Sequence, residues 1–280
     1  MLLGPNVDDA GVPDDYLERF MQARLANFWR SFAPRQGADY DALVAEERYE
    51  KFCSEFLIQL PPVFALKPSE EWDERLQKLP VQRQMLHVAL FDYVCHNFRP
   101  LLLREPSQVQ TLPVYKQVLM ASQRRTLAAA ALKMLDSVSK LHALLGRSHT
   151  RFASIILPTF EAAVVLVSLT MDEQFPGIPT AATNLNLDLD LENERNGHAD
   201  PLAWGKAHLT RDYCRRATQE ALARLEMLAE VSNMAETSAH TLARLMAKMP
   251  TGDVAPSAFD NFFAAYSTAT LPGLYTELQD

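Results

Sequence analysis

Residues 98–107 read FRPLLLREPS, with three leucines between two arginines and a proline on either side. Upstream, apolar residues recur at helical spacing through VQRQMLHVALFDYVCHNF, residues 81–98. Proline lacks the backbone N–H that a helix interior needs, so Pro100 is expected to bend or loosen this helix and Pro106 to end it. We therefore interpret the stretch as the end of a buried helix, with its leucines in the core.

Helical spacing continues through most of the chain, and no alternating run with hairpin turns interrupts it. The clearest helix follows Pro113 and ends near Gly146, a residue suited to a C-terminal cap. A late helix can begin at Ser232 and Asn233. The ending, residues 257–280, is interpreted as one short aromatic helix and a tail.

The predicted fold class is all-α: a single bundle-like domain of about eight or nine helices over residues 1–280. No internal repeat divides it. Residues 180–200, TAATNLNLDLDLENERNGHAD, are polar and acidic and show no clear period. We expect them to form a flexible acidic loop within the domain.

Composition limits the function. A chain of 280 residues with 48% hydrophobic content can bury a sizeable core, and its net charge of −8 argues against direct binding to nucleic acid. The start of the chain lacks a basic stretch followed by an apolar run, so no secretory signal is predicted. We expect a nuclear protein, or a cytoplasmic one if the chain acts alone. Three scattered cysteines form neither a disulfide framework nor a zinc motif: Cys53, Cys95 and Cys214.

Residues 152–171, FASIILPTFEAAVVLVSLTM, have the length and apolar content of a membrane span. Glu161 and Pro158 interrupt them, and no basic residue follows until Arg195. We therefore predict a buried central helix and no membrane contact.

Motifs for common chemistries are missing. There is no HExxH string for zinc, no GxSxG nucleophile turn, and no glycine-rich turn for a nucleotide. The prediction is that the chain has no catalytic motif, no metal and no cofactor. The basic pair Arg124–Arg125 is interpreted as exposed helix surface rather than a phosphate site.

Polar groups stand out within the apolar helix that leads to residue 104. Burying such a group without a partner costs about 1–3 kcal/mol, and more when the group is charged. Partners for Arg99 and Arg104 are expected among carbonyls at the loosened helix end and an acidic residue of another helix. The alternative is a small-molecule pocket in which a guanidinium faces an acidic or carbonyl ligand. The predicted pocket residues are Tyr93, His96, Asn97, Arg99 and Arg104.

The stretch LLLREP, residues 101–106, resembles the helix end that reads Leu-Leu-His-Arg-Pro in the regulatory, or middle homology, domain of fungal-specific transcription factors. GPNVDDAGV near the start is similar to that family's Asn-x-Asp-Asp segment, and SEFLIQLPPVF to its SFLIQLPP. QEALARLEMLAEVSNMAETSAHTLARLM resembles its late helix pair. The resemblance spans residues 5–249 and implies an all-helical regulatory fold.

Two departures from the family matter. Arg104 and Glu105 stand where the family has His-Arg, so an acid replaces the basic residue before Pro106. The family's DNA reader, a binuclear cluster of zinc held by six close cysteines, cannot be built from three scattered ones. Either this chain is the regulatory part of a longer factor, or it is a free-standing relative that lost the cluster.

Two functions follow from this resemblance. The first is a regulatory domain that senses a small-molecule ligand, docks a co-regulator protein or forms a homodimer, through a shift between helix packings. The second is a cofactor-independent enzyme, or a small-molecule-binding protein, of fungal secondary metabolism on the same fold. In the enzyme, His96 would act as a base and Arg99 or Arg104 would hold an anion.

Overall fold

The computed structural model describes residues 16–32, 40–104, 106–147, 149–172, 175–176 and 200–249. Within these ranges the chain forms nine α-helices and no β-strand, which confirms the predicted all-α fold. The predicted acidic loop, apart from its last residue, and the C-terminal aromatic helix lie outside them. The helices are α1 (Leu17–Ser31), α2 (Ala42–Lys51), α3 (Leu79–Phe98), α4 (Pro106–Gln110), α5 (Val114–Leu144), α6 (Ala153–Met171), α7 (Ala203–Ala207), α8 (Arg211–Ala229) and α9 (Asn233–Met246).

Helix α5 is the axis of the molecule. Its 31 residues give a rod of about 46 Å at 1.5 Å per residue. Helices α3 and α6 both pack against α5, and α6 in turn packs against α8 and α9. The alanines of Ala128–Ala131 are all buried in α5, and their small side chains let neighbouring helices approach closely.

Helix α6 contains the apolar stretch that has the length of a membrane span. Among the described residues it is the one helix long and apolar enough to cross a membrane, with a mean hydropathy of 1.8. Two thirds of its apolar stretch (67%) is buried inside the protein. The prediction of a buried central helix is confirmed, while the lack of membrane contact stays a prediction.

Helix ends follow the local signals in the sequence. The Ser232 hydroxyl accepts a hydrogen bond from the Ala235 backbone N–H, so a new cap begins α9 as predicted. Asp41 caps α2 in the same way through the Leu43 N–H. Past the end of α5, Gly146 has φ of +81°, a left-handed conformation that glycine adopts without a steric penalty.

Within the stretch FRPLLLREPS, residues 98–103 are helical but only partly buried. Helix α3 ends at Phe98 and continues as a 3₁₀ turn over Arg99–Leu103, as expected from Pro100. Leu101 is fully buried in a small cluster with Ala42 and Met120. Leu103 is 51% exposed, so the prediction that all three leucines lie in the core was wrong. The tighter turn of three residues directs Leu103 away from the face that buries Leu101.

Candidate functional site

The five predicted pocket residues lie in three environments. Helix α3 turns by about 100° per residue, so His96 and Arg99 share one face while Tyr93 and Asn97 share the next. Arg104 lies beyond the helix, just after the 3₁₀ turn. The structure therefore brings together two pairs of these residues rather than all five, and a common ligand for them stays a prediction.

His96 and Arg99 belong to a group of four ionisable residues that we call the α3–α6 polar cluster: Asp92 and His96 of α3, Arg99 of the 3₁₀ turn that follows it, and Glu161 of α6. His96 Nδ1 lies 3.5 Å from Asp92 Oδ1, and Arg99 Nη2 lies 3.2 Å from His96 Nε2. Glu161 faces them from α6 and interacts with all three. The His96 side chain is 46% exposed, so solvent reaches the cluster.

Two groups in the cluster hold protons more tightly than usual. The contact with Asp92 raises the pKa of His96 above its ordinary value, because a carboxylate stabilises the imidazolium form. Burial raises the pKa of Glu161, and the Asp92 carboxylate adds to this effect. Arg99 opposes both shifts. A protonated Glu161 can donate a hydrogen bond to Asp92, so the two carboxyls can share one proton across the α3–α6 contact.

The protonation state of His96 also determines what Arg99 contacts. Arg99 can donate to His96 Nε2 only while the imidazole is neutral, because both ring nitrogens carry a proton in the charged form. Protonation of His96 therefore removes this contact and sets two positive charges side by side. The arrangement can exchange protons and change its net charge at the surface of two packed helices.

A pH-dependent stability is expected from Glu161. Its pKa is raised in the folded protein, so its contribution favours the fold below the ordinary carboxyl pKa and is lost as pH rises through the folded value. Above the folded pKa, the buried carboxylate of Glu161 is ionised and lowers the stability of the fold, and Glu161→Gln removes this destabilising charge. We expect the variant to have a higher Tm than the wild type at about pH 8, with the difference disappearing near pH 4. Thermal unfolding followed by circular dichroism measures the Tm of the wild type and of the variant at each pH.

The control for this prediction is Glu226→Gln, at an exposed position of α8. It removes the same charge without changing a buried group, so its effect on Tm should be small and nearly independent of pH. A Glu161→Gln variant that is no more stable than the wild type at about pH 8 would contradict the burial of this carboxyl.

Tyr93 and Asn97 connect α3 to the first two helices. The Tyr93 ring lies parallel to the Trp29 ring of α1, with centroids 6.0 Å apart. Asn97 Nδ2 donates to the Ala45 carbonyl of α2 at 2.8 Å. Asn97 Oδ1 is buried and has no hydrogen-bond partner within the part of the chain that the structure describes. This oxygen can accept a hydrogen bond from a water or a ligand.

Arg104 connects the end of the 3₁₀ turn to the segment before α2. Its Nη2 donates to the Tyr40 carbonyl at 3.0 Å, and the Tyr40 hydroxyl donates to Gln123 Oε1 of α5 at 2.8 Å. Gln123 is fully buried and donates to both the Ala42 carbonyl and Glu46. Arg104 thus pairs with a carbonyl, as one prediction had it, although that carbonyl lies outside the helix end near Pro100.

Two buried polar residues of α3, Arg83 and His87, were not predicted from the sequence as partners of another segment. Arg83 donates to the Val63 carbonyl at 2.6 Å and to both oxygens of Asp73 at 2.6 and 2.9 Å. His87 Nε2 lies 3.1 Å from the carbonyl of Phe64, and burial lowers the pKa of His87. Both residues hold the segment between α2 and α3 against α3. Their spacing of four residues, which places both on one face of an apolar helix, is the sequence signal that could have indicated them.

The basic pair Arg124–Arg125 is also not the exposed surface that was predicted. Arg125 is buried and donates to the carbonyls of Pro176 and Lys206. Arg124 forms an ion pair with Asp172, just past the end of α6. The desolvation cost of these guanidiniums is offset because each has an internal acceptor. Their partners come from sequence positions 48 and more residues away, which local spacing does not predict.

Among the described residues, no three His, Cys, Asp or Glu side chains are grouped to hold a metal ion. Cys53, Cys95 and Cys214 are free thiols, and two of them are buried. The expectation that the chain uses no metal and no cofactor stays a prediction.

Two curated fungal proteins are similar to most of this chain. One is "Transcription factor xilB" of Penicillium rubens, 40% identical over 238 residues, which make up 85% of this chain and 33% of that protein. The other is "Probable transcription factor sol4" of Alternaria solani, 38% identical over 250 residues, or 88% of this chain and 43% of that protein. These similarities support a fungal transcription factor.

The chain spans about a third of the first relative and about two fifths of the second. No family model matches the chain, and no solved structure matches it. A regulatory role in transcription is supported at this coarse level, and a nuclear location is suggested with it. The cytoplasmic alternative has no support from these relatives.

Proposed function

We propose that this chain is a regulatory domain of the middle homology type found in fungal transcription factors, and that it does not read DNA itself. The observation that carries the proposal is the similarity of 85–88% of the chain to a part of two proteins named transcription factors. The all-helical fold agrees with the regulatory domain that the sequence resembles. Reading of DNA is then the task of a segment outside these 280 residues or of a partner.

Four arginines are engaged within the protein, and this supports the absence of DNA contacts through those four side chains. Arg83, Arg104 and Arg125 donate to acceptors inside the protein, and Arg124 is paired with Asp172. Guanidiniums engaged in this way are not presented to a phosphate backbone. The net charge of −8 adds a long-range repulsion from nucleic acid.

The proposed mechanism is a shift between packings of α3 against its neighbours. Each face of α3 carries a different polar contact: Asn97 to α2, and the α3–α6 polar cluster to α6. A ligand or co-regulator that binds one packing more tightly than another changes their populations. The half-exposed α3–α6 polar cluster is where we place a small ligand with an acidic or carbonyl group, held by Arg99. A homodimer is the alternative means of regulation.

Deletion of the gene tests this proposal. We expect the abundance of a defined set of transcripts to change in the deletion strain and to return when the intact gene is restored. A frameshifted copy is the matched control, because it supplies the same nucleic acid without the protein. Identical transcript profiles in the parental and deletion strains, grown under conditions in which the protein is present, would contradict a regulatory role.

Direct DNA binding is tested with the purified full chain and labelled duplex DNA. We expect binding weaker than a Kd of about 10⁻⁴ M at physiological salt, which is the weak end of non-specific binding. Tight binding that survives increasing salt would contradict the absence of a DNA reader in this chain.

The enzyme hypothesis stays untested. Arg99 Nη2 lies against His96 Nε2, so the lone pair that a catalytic base needs is engaged in this arrangement. Turnover of a metabolite by the wild type, lost in His96→Ala, would establish catalysis in place of a purely regulatory role.

A further inference from the structure

Arg99 is a half-buried cation without a carboxylate partner in the part of the chain that the structure describes. Its hydrogen bond there goes to the neutral ring of His96, with Nη2 lying 3.2 Å from Nε2. Glu161 acts on the guanidinium from beyond ion-pair distance. A guanidinium carries five N–H donors in a planar fork that matches a carboxylate. Most donors of Arg99 are therefore available to an anion from outside the described chain.

Asp92 orients the ring that contacts Arg99. His96 Nδ1 lies 3.5 Å from Asp92 Oδ1, so the proton of the neutral ring belongs on Nδ1 and the lone pair on Nε2. The three side chains form a row in which Nε2 lies between the carboxylate side and the guanidinium. Since the His96 side chain is 46% exposed, both a proton and a small ligand can reach Nε2.

Protonation of His96 at Nε2 creates a second donor beside Arg99. The new N–H cannot accept from the guanidinium, so the contact between them is lost. Two positively charged donors then lie next to each other at the half-exposed end of α3. Hydrogen bonds from charged donors to a carboxylate are strong, and one carboxylate can accept from both. An anion between the two side chains also offsets their mutual repulsion.

The net charge of the α3–α6 polar cluster changes in the same direction. Among the described residues, the charged groups that face His96 are Asp92, Arg99 and Glu161. The Cys95 thiol lies behind them, and burial raises its pKa, so it stays neutral. While the two carboxyls share one proton, they and Arg99 cancel, and a protonated His96 leaves one positive charge. Ionisation of Glu161 at higher pH instead makes the cluster repel an anion.

We propose that the α3–α6 polar cluster binds a small monocarboxylate together with a proton, and that the carboxylate lies between His96 and Arg99. This proposal rests on the ligand-controlled regulation proposed above and specifies the charge and chemical class of the ligand. Because coupling between two ligands is reciprocal, acidic pH strengthens carboxylate binding and the carboxylate in turn stabilises the imidazolium of His96. Occupancy of the site then depends on the acid metabolite and on pH together.

Titration of the full chain with acetate tests the proposal, followed by the amide NMR signals of residues 92–99 at constant ionic strength. Acetate stays ionised between about pH 6 and about pH 9, whereas His96 loses its proton. We expect acetate to bind at least about tenfold more tightly at the lower pH. Acetamide, which has nearly the same shape without the charge, should bind much more weakly than acetate at about pH 6.

Three variants assign the effect to these side chains. His96→Gln cannot take up the proton, so it should lose most of the pH dependence of acetate binding. The matched control is His240→Gln, at an exposed histidine of α9, which should bind acetate as the wild type does at both pH values. Arg99→Gln should abolish binding at both. Circular dichroism equal to that of the wild type verifies that each variant is folded.

Equal acetate affinity of the wild type at the two pH values would overturn the proposal, as would the absence of acetate binding at about pH 6. Acetamide binding as tightly as acetate would overturn the carboxylate as the ligand class. The same pH dependence in His96→Gln and His240→Gln would remove His96 from the site. Binding is measured on the purified chain and regulation by transcript abundance, so a failure of this proposal is distinguishable from a failure of the regulatory function.

Discussion

Replacing Arg83 by methionine is expected to lower the free energy of unfolding by about 3–4 kcal/mol. The guanidinium is almost fully buried and forms two hydrogen bonds to Asp73, at 2.6 and 2.9 Å, a third to the Val63 carbonyl and a fourth to the Ser69 carbonyl at 3.3 Å. Methionine preserves the apolar stem but provides no donor, so the carboxylate and the two carbonyls lose their partners together. Chemical denaturation of the purified chain measures the change.

A loss of this size is a large fraction of the total stability of a domain, which is typically 5–15 kcal/mol. The matched control is Arg75→Met, the same substitution at an exposed arginine in the segment between α2 and α3. Arg75 lies over the Trp72 ring, 5.5 Å from its centroid, a contact worth about 0.5–1 kcal/mol at an exposed site. Equal effects of the two substitutions would show that Arg83 does not hold the segment between α2 and α3.

The second large effect is expected at Leu101. Leu101→Ala should lower the free energy of unfolding by about 2–4 kcal/mol, through lost burial and the cavity that remains. Leu101 is fully buried against Ala42 and Met120. These residues belong to the 3₁₀ turn, α2 and α5, so the cavity would weaken three elements at one point.

Leu103→Ala is the matched control for this prediction, with the same chemical change two residues along. Leu103 is 51% exposed, so its truncation should alter stability by about 0.5 kcal/mol or less. Two variants with equal unfolding free energies would mean that the 3₁₀ turn does not separate a buried leucine from an exposed one. A larger effect at Leu103 than at Leu101 would mean that Leu103 is the buried leucine of the 3₁₀ turn and Leu101 the exposed one.

Local signals predicted the helices well. Pro100 changes the helix to a 3₁₀ turn, Gly146 ends α5 with a positive φ, and Ser232 caps α9. Each of these features is decided by the residue itself and its immediate neighbours. Glu161 and Pro158 within an otherwise apolar stretch likewise indicated that α6 is a core helix, and its buried residues surround it on all sides.

The contacts of the polar residues were harder to predict, because they depend on partners far away in sequence. Gln123 pairs with Tyr40, 83 residues away, and Arg125 with the Lys206 carbonyl, 81 residues away. Nothing within either helix indicates those acceptors. The separation of His96 from Asn97 was different, because helical rotation alone places them on adjacent faces. The position of these two residues on different faces of α3 could therefore be predicted from the sequence.

The proposed regulatory function is tested most directly by attaching the full chain to a DNA-binding protein of known target sequence and measuring a reporter gene that carries this target. The chain is predicted to change reporter output relative to the DNA-binding protein alone, because regulation then does not require its own contact with DNA. Arg83→Met, expected to unfold more easily, should lose this effect, while Arg75→Met should retain it. Reporter output equal to that of the DNA-binding protein alone, with the fusion present in the nucleus at normal abundance, would contradict a regulatory function.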